Sequence, residues 1–177
     1  SGGVYINTSV FSGNKASTCS YCGGKKSYGY GLQVVSLDSI ALSDVTAENN
    51  NLFGVDLDAA GDVSIYQGLF SNNGLGYGSY AAGYGMNVVS GGDVAVSAVT
   101  ASNNYLYGAN IEAAGSVSLS TSVFSGNKYS YVTHCGCSSY YGYGLHVLSG
   151  EDISLFEVQA SDNNLYGAYL KDRKSVV

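Results

Sequence analysis

Two close pairs of cysteines are the first residues in this 177-residue chain whose spacing could support chemistry. Cys19 and Cys22 form a C-x-x-C motif, and Cys135 and Cys137 form C-G-C directly after His134. Thiolates and imidazoles at such spacing can hold zinc, but a strong zinc site needs both pairs at a suitable separation. Because 113 residues separate Cys22 from Cys135, the spacing leaves metal binding, free thiols and disulfide bonds open.

A cluster of carboxylates is the second candidate for chemistry. Asp56, Asp58 and Asp62 lie close together in the sequence, and neighbouring carboxylates can transfer protons or bind calcium. Asp56 and Asp58 alternate with Leu57, which predicts that both point outward from one strand face. A solvated strand face is our interpretation, and a weak calcium site is the alternative.

Basic and imidazole groups that could complete a catalytic site are few. Arg173 is the only arginine, and it lies within the last few residues of the chain. We interpret His134 and His146 as surface or turn residues. The acids also recur in register with the repeat described below, which is typical of structure. We therefore predict that the protein is not an enzyme and has no catalytic residues, metal or cofactor.

The composition indicates a folded protein. Hydrophobic residues make up 45% of the chain, aromatic residues 12% and charged residues 11%, whereas disordered chains are rich in charge and poor in aromatics. The net charge of −6 disfavours a nucleic-acid partner. No apolar run reaches about 18 residues, so we predict no membrane span. No basic region precedes an apolar run, so we predict no signal peptide within this sequence.

The chain repeats itself at two scales. Residues 4–14 return at 117–127, both ending in TSVFSGN, and GYGLQVVS at 29–36 returns as GYGMNVVS at 83–90 and GYGLHVLS at 142–149. The smallest unit spans 23 residues, and extra residues fall in three inserts, 15–29, 74–83 and 128–142. Each unit reads as short alternating runs separated by turn residues, which is typical of strands. A fixed short period of strands predicts a β-solenoid.

Aligning the units places like residues in columns. A ladder of asparagines is predicted to hydrogen-bond along the stack and to satisfy turn backbone groups: Asn14, Asn50, Asn73, Asn104, Asn127 and Asn163. An aromatic column holds Tyr30, Phe53, Tyr84, Tyr107, Tyr143 and Tyr166. Another column alternates large and small, which fills the space between units: Phe11, Ala47, Phe70, Ala101, Phe124 and Ala160. A fourth alternates similarly: Leu32, Val55, Met86, Ala109, Leu145 and Ala168.

The stretch GYGMNVVSGGDVAVSAVTASNNYLYGANIEAAGSVSLSTSVFSGN resembles the right-handed parallel β-helix repeats of large bacterial surface and secreted proteins. The resemblance implies an all-β, pectate-lyase-like right-handed parallel β-helix, or β-solenoid. We expect one domain over residues 1–177, with about six coils of 23 residues and three loop inserts stacked on one side. It also implies an extracellular or cell-surface location. In such a protein, disulfide bonds within or between copies are the expected state of Cys19, Cys22, Cys135 and Cys137.

Both ends of the chain align with the middle of a coil. If a further copy followed, the alternation of plain and insert-bearing coils would continue unbroken. We therefore predict head-to-tail assembly by coil completion, between covalent repeats or separate subunits, with an arbitrary fragment as the alternative. The predicted assembly residues are Ser1, Gly2, Gly3, Val4, Tyr5 and Ile6 at one end, and Lys171, Asp172, Arg173, Lys174, Ser175, Val176 and Val177 at the other.

The inserts are rich in tyrosine and contain lysines but no acidic residue. Tyrosine offers a flat apolar face and a hydroxyl, which suits contacts with proteins or sugars. We predict a ridge for lateral or surface contacts formed by Tyr21, Tyr28, Tyr77, Tyr80, Tyr131 and Tyr140. The alternative is that the inserts only cover the solenoid.

The sequence therefore predicts a structural module of an extracellular filament or surface adhesin. The expected partners are copies of the same chain, and cell-surface glycans are a further candidate partner. The alternative function is a carbohydrate-binding or polysaccharide-degrading β-helix protein, since the family that this chain resembles includes such enzymes and fold alone cannot separate the two.

Overall fold

The computed structural model describes residues 2–15, 29–74, 83–127 and 142–173, together with the backbone of 132–134 and 137–139. The described residues contain strands and turns but no helix, so none of them forms a helix able to cross a membrane. The strands are β1 (Val4–Val10), β2 (Leu32–Ser36), β3 (Ile40–Thr46), β4 (Phe53–Ala59), β5 (Val63–Leu69), β6 (Tyr84–Ser90), β7 (Val94–Ser97), β8 (Tyr107–Ala113), β9 (Val117–Ser120), β10 (Val132–His134), β11 (Cys137–Ser139), β12 (Tyr143–Ser149), β13 (Ile153–Phe156) and β14 (Tyr166–Asp172).

Twelve of these strands form two parallel sheets of six strands each. Sheet 1 has the order β1-β3-β5-β7-β9-β13, and sheet 2 has the order β14-β12-β8-β6-β4-β2. Every pairing within the two sheets is parallel, while β10 and β11 form a separate antiparallel pair. The chain thus passes from one sheet to the other and back, which is compatible with the predicted β-helix.

The strand register matches the columns that the sequence predicts. In sheet 1, Val4 pairs with Ile40, Ile40 with Val63, and Val63 with Val94. In sheet 2, the aromatic column pairs in the same way, with Tyr84 opposite Tyr107. A one-residue slip would turn every inward side chain outward, so the alternation of apolar and polar residues fixes this register.

The core lies between the two sheets and is made of alternate strand residues. In β4, Val55 and Leu57 are buried, whereas Asp58 between Leu57 and Ala59 is exposed. The alternating column packs as predicted, since Phe70, Ala101 and Phe124 are all 0% exposed. A phenyl ring over a methyl group keeps neighbouring strands at their normal spacing without leaving a void.

The backbone bends at two recurring positions in each unit. At the first, residues in sheet 1 or just after its strands adopt φ between 47° and 54°: Thr8, Asp44, Gln67, Ala98, Thr121 and Glu157. At the second, just before the asparagine ladder, the left-handed residues are Gly13, Asn49, Asn72, Asn103, Gly126 and Asp162. Asn, Asp and Gly tolerate this conformation, but Gln and Ala do so at a cost of about 1 kcal/mol or more. The surrounding stack therefore imposes the first bend.

A column of glycines follows the aromatic column where neighbouring strands approach closely. A Cβ atom on Gly85 would lie 2.6 Å from each of Asn104 Nδ2, Gly108 O and Phe70 O. These distances are too short for any side chain, so glycine is required here by space. The absence of a side chain lets the asparagine ladder reach the backbone of the neighbouring strand.

Candidate functional site

The six predicted asparagines lie in one hydrogen-bonded ladder. Each carboxamide oxygen from Asn50 to Asn163 accepts two hydrogen bonds, from the backbone N–H and from Nδ2 of the preceding asparagine, at 2.8–3.1 Å. Each of these asparagines also donates from Nδ2 to a backbone carbonyl of the alternating Phe/Ala column, at 2.9–3.2 Å. The ladder thus ties side chain and backbone of successive units together.

All bonds between successive asparagines run in the same direction. Asn14 donates to Asn50, and every later member repeats this sense as far as Asn163. Within the described part of the chain, nothing donates to Asn14 Oδ1, and the backbone N–H of Asn163 has no acceptor. For the bonds between asparagines, one end of the ladder therefore presents an acceptor and the other presents donors, whereas the bonds from Nδ2 to the Phe/Ala carbonyls run in the opposite sense.

The two ends of the stack expose apolar surface. We call the end formed by β1, β2 and residues 11–14 the N-terminal face, and the end formed by β13, β14 and residues 160–163 the C-terminal face. On the first, the inward residues Ile6, Phe11 and Leu32 are only partly buried; on the second, Leu155 is 39%, Leu170 42% and Tyr166 49% exposed. The interior residues of the same columns are covered by neighbouring strands, since Leu119, Val147 and Tyr107 are 2%, 0% and 8% exposed. Among the strands that the structure describes, each end strand also has one unpaired edge, which is the usual template for adding strands.

The aromatic column stacks ring upon ring along the whole of sheet 2. Neighbouring centroids are 4.7–5.2 Å apart, with interplanar angles of 3–22°. Within the column, both faces of Phe53, Tyr84 and Tyr107 are covered by neighbouring rings. Sugar stacking needs an open ring face. The inner rings of this column therefore stabilise the stack and do not form a platform for sugars.

A second, polar ladder runs along the outer face of sheet 2. Asp56 accepts from Gln33 Nε2 at 2.9 Å and from Asn87 Nδ2 at 2.8 Å. Asn110 donates to Asn87 Oδ1 at 2.8 Å, and His146 Nδ1 lies 2.7 Å from Asn110 Oδ1. Four successive side-chain bonds thus join five strands on the surface, and they converge on one carboxylate.

His146 occupies the end of this polar ladder, within β12. Because Asn110 Oδ1 can only accept, His146 must carry its proton on Nδ1, which leaves Nε2 as the acceptor of the neutral ring. The imidazole stacks on Tyr169 at 5.1 Å and meets the edges of Tyr107 and Tyr143. Burial among these rings lowers the pKa of His146, and the negative charge of Glu112 partly opposes this.

The structure places His146 on the outer face of a strand, in agreement with a surface position, and explains the acidic cluster. His146 is a half-buried strand residue, not a turn residue. Asp56 belongs to the polar ladder, and Asp62 Oδ1 accepts from the Asp93 backbone N–H at 2.9 Å. Among the residues that the model describes, no group of three His, Cys, Asp or Glu side chains is placed to hold a metal ion.

The predicted assembly residues lie at opposite ends of the stack. Residues 2–6 lie in or just before β1 on the N-terminal face, and residues 171–173 end or follow β14 on the C-terminal face. Arg173 forms a long, exposed ion pair with Glu112 at 3.8 Å, which contributes little to stability. Ser1, Lys174, Ser175, Val176 and Val177 lie outside the described residues, so coil completion stays a prediction.

The predicted ridge falls outside the described residues. This holds for Tyr21, Tyr28, Tyr77, Tyr80, Tyr131 and Tyr140, and also for Cys19, Cys22 and Cys135. Cys137 begins β11, where its backbone pairs with that of His134. The disulfide prediction is therefore untested.

The polar ladder is the feature that the sequence did not reveal. Gln33, Asp56, Asn87, Asn110 and His146 do occupy one column at the repeat offsets. Their residue types differ, however, so only their shared hydrogen-bonding capacity could have identified the column.

No family model, curated protein or solved structure matches the chain in a comparison with known proteins. The functional argument therefore rests on the geometry of the two ladders and the two end faces.

Proposed function

We propose that the protein is a structural module of an extracellular filament or surface adhesin, lengthened by stacking copies at their end faces. In this proposal the chain is one right-handed, pectate-lyase-like β-helix of six coils. Such a module has a mechanical role, because each added copy lengthens a rod whose two sheets continue from copy to copy. The observation that carries the proposal is the pair of apolar end faces with unpaired strand edges.

The exposed apolar residues at the ends differ from those scattered over an ordinary surface. Leu155, Leu165 and Leu170 are all about two-fifths exposed on the C-terminal face, where Tyr166 is also exposed. Exposed inward-facing apolar residues beside open strand edges favour association with another sheet end. Strand addition would bury this patch and pair the edge backbone in one step.

The positions of the three inserts support a ridge along one side of the rod. Each insert begins just after a ladder asparagine, namely Asn14, Asn73 or Asn127. Each returns just before the aromatic column, at Tyr30, Tyr84 or Tyr143. These asparagines and tyrosines form the two straight ladders described above. The inserts would therefore emerge at one corner of the rod, where their tyrosines are available for lateral or surface contacts.

Electron microscopy with averaging along the rod tests this proposal. Six coils at about 4.8 Å give an expected axial repeat of about 29 Å. Discrete short particles at all concentrations would contradict assembly, and a glycan-binding screen would then address the carbohydrate alternative.

A matched pair of variants links the rods to the end faces. Leu170→Lys places a charge on the exposed C-terminal face, where the next copy would bury it, and should abolish rods. Leu148→Lys makes the same change on the neighbouring strand, where the side chain points outward, and should leave rod length unchanged. Equal effects of the two variants would contradict stacking through the end faces.

A further inference from the structure

We propose that the joint between two copies has a single sense, in which the C-terminal face of one copy receives the N-terminal face of the next. In this joint Asn163 donates to Asn14 of the second copy and continues the ladder across the boundary. The inference rests on the proposed end-to-end stacking, and it specifies the partner as a second copy of this chain in the same orientation.

The unused hydrogen-bonding groups of the two faces are complementary. Along the chain, each junction is made by a backbone N–H and an Nδ2 that both donate to the next Oδ1, and by the next Nδ2, which donates back to a carbonyl of the Phe/Ala column. At the C-terminal face, the Asn163 backbone N–H and one Nδ2 hydrogen remain available within the described residues. At the N-terminal face, Asn14 Oδ1 remains available. The C-terminal face therefore supplies the two donors that Asn14 Oδ1 would accept, and the Ala160 carbonyl is the acceptor to which Asn14 Nδ2 would donate back, as at every internal junction.

The sizes of the core residues on the two faces are also complementary. The column that alternates Phe and Ala begins with Phe11 and ends with Ala160, and both are only partly buried in the single chain. Placing Phe11 over Ala160 continues the alternation without a break. The neighbouring column behaves in the same way, since it begins with Leu32 and ends with Ala168. The joint thus fills its core as the interior does.

Reversed joints lose both kinds of match. Two C-terminal faces would bring Ala160 against Ala160 and donors against donors, leaving a cavity and unpaired amides. Two N-terminal faces would bring Phe11 against Phe11 and one carboxamide oxygen against another. Reversal would also change the strand pairing across the joint from parallel to antiparallel. Only the head-to-tail joint reproduces the geometry found within the chain.

The sense of the joint is tested with two chains that are each blocked at one face. Leu170→Lys blocks the C-terminal face, and Ile6→Lys blocks the N-terminal face, where Ile6 is an inward residue of the edge strand β1. We expect each variant to sediment as a monomer alone and the equimolar mixture to sediment as a dimer, a twofold change in mass. Circular dichroism of each variant alone checks that the strands are retained.

The outcomes separate this inference from the proposed function. If the unmodified chain forms no rods, the proposed function fails and the joint with it. If rods form but either blocked variant dimerises alone, the joint is reversed and the inference is overturned. If rods form and the mixture stays monomeric at the same concentration, direct contact of the two faces is wrong.

A charge exchange tests the register of the joint. Val35, Asp58, Val89, Glu112, Leu148 and Lys171 form one outer column, so Val35 of the next copy should lie opposite Lys171. In the Val35→Lys variant, the new lysine lies beside Asp58 of its own chain and beside Lys171 of the other copy across the joint. Repulsion between the two lysines should weaken association about two- to fivefold. Adding Lys171→Glu should restore it. Failure of the second change to restore association would overturn this register.

Discussion

The interior and the ends of the stack contain the same residues in different environments. Asn104 is fully buried and hydrogen-bonded to the preceding and the following asparagine, whereas Asn163 is partly buried and bonded on one side. Phe124 is 0% exposed, whereas Phe11, which begins the same column at the N-terminal face, is only partly covered. The repeat sequence is equivalent at these positions, so the difference arises from the presence of a neighbour.

This comparison shows that a repeat unit has no fixed contribution to stability. Each unit contributes its own folding free energy and an interface with its neighbours, as in other solenoids. The end units lack one interface, and their unpaired groups are those that a second copy would satisfy. The four predictions below compare matched interior and end positions, or the inner and outer ladders. Unfolding is best measured in the Leu170→Lys background, because assembly would otherwise add to the measured stability.

The largest difference is expected from removing a buried ring. Phe124→Ala should lower the free energy of unfolding by about 3–5 kcal/mol, because the ring fills the space between two alanine levels. Phe11→Ala should cost less than half as much, since solvent already reaches this ring. Chemical denaturation measures both. Equal losses would show that the end unit is packed as firmly as the interior.

Removing a ladder amide should have the next largest effect. Asn104→Ala deprives the Asn73 backbone N–H, Asn73 Nδ2 and the Phe70 carbonyl of their partners, at a cost of about 1–3 kcal/mol. Asn163→Ala should cost less, since water can reach the groups that it leaves. The midpoint of urea unfolding reports both changes. A negligible effect of Asn104→Ala would contradict a stabilising role for the ladder.

A methyl group added to the glycine column should destabilise the protein more in the interior of the stack than at its end. Gly85→Ala brings a Cβ against two carbonyl oxygens and an amide nitrogen at 2.6 Å, and should cost about 1–3 kcal/mol. Gly167→Ala meets only Ala160 O at 2.7 Å, with its next contacts at 3.7 Å or more. The thermal midpoints should therefore fall further for Gly85→Ala. The reverse order would contradict the close spacing within the interior.

The smallest effect on stability is expected from a change of pH, because the outer polar ladder contains the titratable residue His146 and the asparagine ladder contains no titratable side chain. Because the pKa of His146 in the folded chain lies below its ordinary value of 6.5, the folded state binds this proton less readily than the unfolded state. The contribution of the neutral His146 ring to the free energy of unfolding is therefore fully present above pH 6.5 and is lost as pH falls through the lowered pKa. His146→Asn, which can still donate to Asn110, should remove this part of the pH dependence. Urea unfolding between pH 5 and 8 measures the difference, and identical profiles would contradict the assignment.

The fold could be predicted because the columns of the repeat hold either one residue type or a regular alternation of large and small residues. Asparagine at one position and a Phe/Ala alternation at another fix the offsets between units, and the strand pairings reproduce those offsets. Parallel stacking places equal positions beside one another, so a column in the sequence becomes a column in space. This is why the register was accessible without any structure.

The outer ladder and the end faces could not be predicted in the same way. The ladder from Gln33 to His146 mixes amides, a carboxylate and an imidazole, so residue identity conceals it. The first backbone bend is equally hidden, since Gln67 and Ala98 have no preference for positive φ and adopt it because the neighbouring strands require it. The exposure of Leu155 and Tyr166 depends on which strand lies beside them, which is a property of the assembled stack.

The common direction of the asparagine ladder also gives the rod an electrical polarity. Each carboxamide has a dipole close to that of a peptide unit, about 3.5 D, and the six dipoles add along the stack as peptide dipoles do in a helix. The donor end at Asn163 is therefore partially positive, and the acceptor end at Asn14 is partially negative. Exposed Asp162 and Lys15, which adjoin these two asparagines, have the charges that each end favours. Stacked copies would extend the same macrodipole over the length of the rod.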